Sequence, residues 1–133
     1  MKISDIEGIG PAYATKLAKA GVRSVEGLLK AGASAKGRKE ISAASGVDQT
    51  LILAWVNRAD LYRIKGVGAQ YSDLLEKAGV DTVVELSKRA AGNLYKKMVE
   101  VNQAKNLVNS LPGLKQVEDW VNQAKKLPRV VTY

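Results

Sequence analysis

The chain has 133 residues, 46% of them apolar, and a net charge of +8 with a pI near 9.7, a balance that predicts a polyanionic partner, nucleic acid first. It contains no Cys and no His, which excludes disulfides, thiol nucleophiles and histidine bases and removes the usual zinc ligands, so no metal and no cofactor are expected. The longest unbroken apolar run, Leu51 to Val56, is too short to cross a membrane, and the opening MKISDIEG lacks an apolar signal core, so a cytoplasmic protein without a membrane partner is expected.

In chain order the pattern is helical throughout. Ile3 to Ile6 allows at most one turn, and Gly8-Ile9-Gly10 follows as a tight corner. A helix is predicted from Pro11, which suits the first helical position, to about Ala20, with Gly21 at the place of a left-handed C-cap. Ser24 opens a short helix to about Lys30, stopped by Gly32. Ser34 caps a helix to about Ala44 that Gly46 ends, and Asp48 caps another to about Ala59. Val47, Leu51 and Trp55 have helical spacing there. The order then recurs. Asp60 begins a short lead-in to Gly66-Val67-Gly68, and a helix runs from Ala69 to Ala78. Thr82 with Glu85 forms a capping-box pattern. Asn93 precedes a long predicted helix that runs to about Asn109, with Leu94, Met98, Val101 and Val108 on one face. Pro112 and Gly113 break it, Leu114 to Lys126 is the last helix, and Pro128 releases a β-branched tail.

This recurrence is an internal repeat. At an offset of 58, Gly8, Gly10, Tyr13, Leu17, Lys19 and Gly21 fall on Gly66, Gly68, Tyr71, Leu75, Lys77 and Gly79. WVNRADL at Trp55 to Leu61 then matches WVNQAKKL at Trp120 to Leu127 at an offset of 65, so the second copy holds seven more residues. Seven residues approximate two helical turns, and one helix lengthened by two turns would absorb them. The expected fold is all-α, with four to five short helices in each of two units packed with pseudo-twofold character. The expected boundaries are residues 1–62, 63–127 and a tail, 128–133.

The glycine corners carry the chemistry. Glycine tolerates positive φ in a tight hairpin, and Ile9 and Val67 between the glycines can plug the helix pair. The helix that follows begins with unpaired N–H groups and the positive end of its dipole, and a bare Cα lets a phosphate approach them. Such a site grips phosphate and ignores base identity. Apolar-x-Gly-apolar-Gly, then Ala14 or Ser72, then Leu17 or Leu75, resembles the helix-hairpin-helix motif. The chain as a whole looks like an uncharacterised bacterial group built from two such units.

That resemblance implies non-sequence-specific binding of duplex or branched DNA, through Gly66, Val67, Gly68, Lys65, Ala69 and Gln70, and through Gly8, Ile9 and Gly10, with Lys77 and Lys19 flanking. Members of the family often carry Lys or Arg just after the second glycine. Here Pro11-Ala12-Tyr13 and Ala69-Gln70-Tyr71 stand there. Glu7 inside the first hairpin repels phosphate, whereas Lys65 at the matching place attracts it, so the second hairpin is the favoured contact.

Lys36, Arg38 and Lys39, and Lys88, Arg89, Lys96 and Lys97, form basic clusters that read either as phosphate contacts or as solvated helix surface. Trp55 and Trp120 read as core, and Tyr13 and Tyr71 as packing residues with a partly exposed hydroxyl. The acidic residues are scattered, with Asp73–Glu76 and Glu118–Asp119 the only close pairs, which suits no two-metal nuclease, and no enzyme is expected. Two further readings stay open: a protein-interaction adaptor on the same scaffold, and an accessory piece of a structure-specific nuclease whose catalysis lies on another chain.

Overall fold

The computed structural model describes residues 2–133. Among them there are eight α-helices, one 3-10 turn and no named strand, so the chain is all-α. Two compact units are resolved, one of residues up to Asp60 together with Val130–Tyr133, the other Leu61–Arg129.

The first unit begins with the 3-10 turn Ile3–Asp5, then α1 (Pro11–Lys19), α2 (Val25–Ala31), α3 (Ala35–Ser45) and α4, which spans Gln49–Leu61. Local chemistry sets these boundaries. The hydroxyls of Ser24 and Ser34 accept the amides of Gly27 and Gly37 at 2.9 and 3.0 Å, and Asp48 accepts the amide of Thr50 at 2.7 Å. Gly21 ends α1, with the Val22 amide reaching back to the Leu17 carbonyl at 3.0 Å. The core is aliphatic around one indole: Ile6, Leu17, Leu28, Ile52, Val56 and Trp55 are buried, and α1 packs on α3.

The second unit holds α5 (Ala69–Lys77), α6 (Val83–Ser87), α7 (Ala91–Lys105) and α8 (Leu114–Lys126). Thr82 caps α6 by accepting the Glu85 amide at 3.3 Å, and Val80 closes α5 on Leu75 at 2.9 Å. Leu74, Leu75, Leu86, Leu94, Met98 and Trp120 fill its core, where α8 packs on α6 and α7.

Two expectations are corrected. The long helix is Ala91–Lys105: Asn93 lies inside it rather than before it, and it stops short of Asn109 because Asn106 turns left-handed at φ 50°. Asn102 then clasps the chain as it folds back, accepting the Val108 amide at 3.0 Å and donating to the Val108 carbonyl at 3.2 Å. Val108 is therefore buried from outside the helix. Nor are the seven extra residues two added turns of one helix. α7 exceeds α3 by four residues, the connection Asn106–Gly113 exceeds Gly46–Asp48 by five, and α6 is two shorter than α2.

Candidate phosphate-binding hairpins

Each glycine corner is built by the same local bonds. In the first unit the Ile6 amide donates to Ile3 and the Ile9 amide to Ile6, at 3.3 and 3.1 Å. In the second the Ile64 amide donates to Leu61 and the Val67 amide to Ile64, each at 3.1 Å. Ile9 and Val67 are buried as plugs, while Gly8, Gly10 and Gly66 are exposed and Gly68 is half-buried.

The two glycines of a corner do different work. Gly8 and Gly66 hold φ of 91° and 97°, where a side chain is strained. A Cβ on Gly66 would stand 3.0 Å from the indole nitrogen of Trp120, and one on Gly8 would stand 3.4 Å from that of Trp55. Gly10 and Gly68, by contrast, are extended at φ −85° and −107°, and nothing lies within 4 Å of the Cβ each lacks. They are the N-caps of α1 and α5, and neither helix has a side-chain cap. The amides of Gly8, Gly10, Ala12 and Tyr13, and those of Gly66, Gly68, Ala69, Gln70 and Tyr71, donate to no acceptor among the described residues. The first bonds of the two helices come one residue later, from Ala14 to Gly10 and from Ser72 to Gly68, both at 2.9 Å.

Behind the second corner stands α8. The indole of Trp120 is fully buried, its nitrogen has no partner among the described residues, and its ring meets Tyr71 at 5.3 Å. Trp55 meets Tyr13 at 5.1 Å, edge-on. The Tyr71 hydroxyl donates to the Ser110 carbonyl at 3.0 Å, and the Lys16 ammonium lies 5.6 Å from the Tyr13 ring centre. One turn beyond Trp120, Gln123 holds the main chain of Lys65 from both sides: its Oε1 accepts the Lys65 amide at 2.9 Å, and its Nε2 donates to the Lys65 carbonyl at 3.1 Å. The same Nε2 donates to Asp119 at 2.8 Å. Sequence reasoning missed Gln123. The signal lay in WVNQAKKL, one helical turn after the tryptophan, but the first copy has Arg58 there, so the repeat hid it.

The lysines named in sequence divide. Lys65 sits on the corner with its side chain exposed. Lys19 and Lys77 are the last residues of α1 and α5, roughly 13 Å along the helix from the bare amides at 1.5 Å per residue, so they do not flank the corners. Lys77 also lies 3.8 Å from Glu76, and Lys97 lies 4.0 Å from Glu100, both in exposed pairs that contribute little. Arg38 leaves the basic face altogether, because it is buried. Among the described residues no group of three or more carboxylate, Cys or His side chains converges on a metal position, and no helix is long and apolar enough to cross a membrane.

The chain is thus an all-helical protein with two exposed glycine corners at uncapped helix starts. It belongs to the family described as Domain of unknown function (DUF4332), which matches residues 7–127. Neither a curated protein nor a solved structure matches it.

Proposed function

We propose that the chain is a tandem helix-hairpin-helix protein of the cytoplasm that binds duplex or branched DNA without sequence preference, as a binding module and not an enzyme. Hairpin amides meet phosphate oxygens, chiefly at Gly66–Gln70 beside Lys65, and secondarily at Gly8–Gly10 beside Glu7.

The observation that supports this reading is the bareness of Gly10 and Gly68. Neither backbone angle nor packing asks for glycine there. Ser24, Ser34 and Thr82 cap α2, α3 and α6 with hydroxyls, whereas Ala90 and Gly113, at the starts of α7 and α8, also make no side-chain cap but follow no Gly-apolar-Gly corner. A glycine N-cap forgoes that bond and leaves the first amides open to an oxygen from outside. Charge favours the second corner: residues 61–129 hold 12 basic and 7 acidic side chains, net +5, against 9 and 6, net +3, in the rest.

The test is fluorescence anisotropy with duplex, forked and single-stranded DNA and with RNA at two salt concentrations. With some four to five phosphates neutralised, duplex affinity is expected to fall about four powers of ten per tenfold rise in salt. Gly68→Asp places a carboxylate at the N-cap, where it satisfies α5 and excludes phosphate. It is expected to hold or raise the melting temperature while weakening DNA at least tenfold. Failure of every nucleic acid to bind at low salt sinks the reading and leaves a protein-interaction adaptor, to be pursued by pull-down.

A further inference from the structure

The last residues of the chain are bound as a ligand would be. Val131 is buried, and the Thr132 amide donates to the Ala33 carbonyl at 2.8 Å. The guanidinium of Arg38 reaches the Thr132 carbonyl at 2.7 Å and also donates to the carbonyls of Gly32 and Ala33, at 2.9 and 3.1 Å. Its Cζ lies 5.9 Å from the Tyr133 ring centre. Thus Thr132 is held through both of its main-chain groups, one side chain below it is buried, and an aromatic ring covers the cation. Arg38 is 5% exposed, and its three hydrogen bonds among the described residues all end on main-chain carbonyls. A buried guanidinium that ends on carbonyls is costly unless every donor placed there is used. The shortest of these three contacts is the one to Thr132. Beside Tyr133 and Arg38 opens a pocket of about 280 Å³, lined also by Ala35, Gln49, Thr50 and Leu53.

We infer that this groove on the first unit is a binding site for an extended peptide: a segment with a buried β-branched residue, a following residue read through its amide and carbonyl, and an aromatic residue after that. In this chain its own residues Val130–Tyr133 occupy it. Main-chain pairing supplies affinity and the Val131 seat supplies selectivity, as in other modes of extended-peptide capture. Covalent attachment gives the tail a high local concentration, so a free peptide competes only when the tail is weakened. Because the recognising charge meets carbonyls and not phosphates, docking is nearly indifferent to salt, unlike the proposed DNA contact.

The probe is a fluorescein-labelled synthetic peptide, Arg-Val-Val-Thr-Tyr, with the sequence of residues 129–133, added to the full chain. Val131→Asp is expected to free the groove, so that this variant binds the peptide at least tenfold more tightly than the unaltered chain does. Adding Arg38→Ala to Val131→Asp should cut that binding at least tenfold, and raising salt from 50 to 500 mM should change it less than threefold. No binding by a Val131→Asp chain that keeps its helical circular dichroism, or equal binding with and without Arg38, overturns the inference. Should Val131→Asp fail to fold, amide exchange in the unaltered chain decides. The Thr132 amide is expected to exchange at least tenfold more slowly than a free amide, and Arg38→Lys should abolish that protection while leaving α8 unchanged. An unprotected Thr132 amide overturns it.

Discussion

Gly66 and Gly68 stand two residues apart and should respond very unequally to a methyl group. Gly66→Ala meets both a φ of 97° and the Trp120 nitrogen at 3.0 Å, and is expected to cost about 2–4 kcal/mol in urea unfolding. Gly8→Ala meets strain with an ordinary 3.4 Å contact and should cost less, about 1–2 kcal/mol. Gly68→Ala should lie within about 0.5 kcal/mol of the parent, since a lost glycine cap and reduced unfolded-state freedom offset each other. An equal cost at Gly66 and Gly68 would contradict this division. The spacing of the glycines was legible in sequence; the division of labour was not, because it depends on a tryptophan 54 residues away in the chain. Arg38 was misplaced for a readable reason. Its partner at i+3 is Ile41, and that spacing already put it on the buried face, but the run AKGRKE drew attention to charge instead.

Among the elements, the helix starts that carry a Ser, Thr or Asp cap were legible, whereas α7 starts at Ala91, before Asn93 and without a side-chain cap. Ser24, Ser34, Asp48 and Thr82 each cap as their residue types require, and the last helix is bounded by Gly113 and Lys126 as expected. The end of α7 was not legible. Val101 and Val108 are seven apart, which mimics two more turns on one face, whereas the chain leaves the helix at Asn106 and returns Val108 to the core. The Asn102 side chain makes that return possible by bonding both main-chain groups of Val108. Asn102→Ala is expected to cost about 1–3 kcal/mol, since it leaves the amide of a buried residue unpaired. Faster exchange of the Val108 amide, with Leu94 unchanged, is the check, and an unaltered Val108 rate would refute the role.

For the whole molecule, the charge is unevenly shared, with net +5 in residues 61–129 and +3 in the remainder. If both corners meet phosphate, Gly68→Asp should reduce duplex affinity more than Gly10→Asp, because Glu7 already burdens the first corner and Lys65 aids the second. The reverse order, measured by anisotropy at one salt concentration, would show that the corner charges do not decide the contact. The all-α class could be read from composition and period; the membership of the tail in the first unit could not, since nothing in RVVTY names Ala33 and Arg38 as its partners.

That membership has a consequence for synthesis. A ribosome makes Asp60 seventy residues before Val130, which at about 5–20 residues per second is on the order of several seconds earlier. Through that interval the nascent first unit waits with Arg38 short of one acceptor and the seat of Val131 open to water. The portion translated first is therefore the portion completed last, and a chaperone or a neighbouring nascent chain could reach this seat before residues 130–133 emerge.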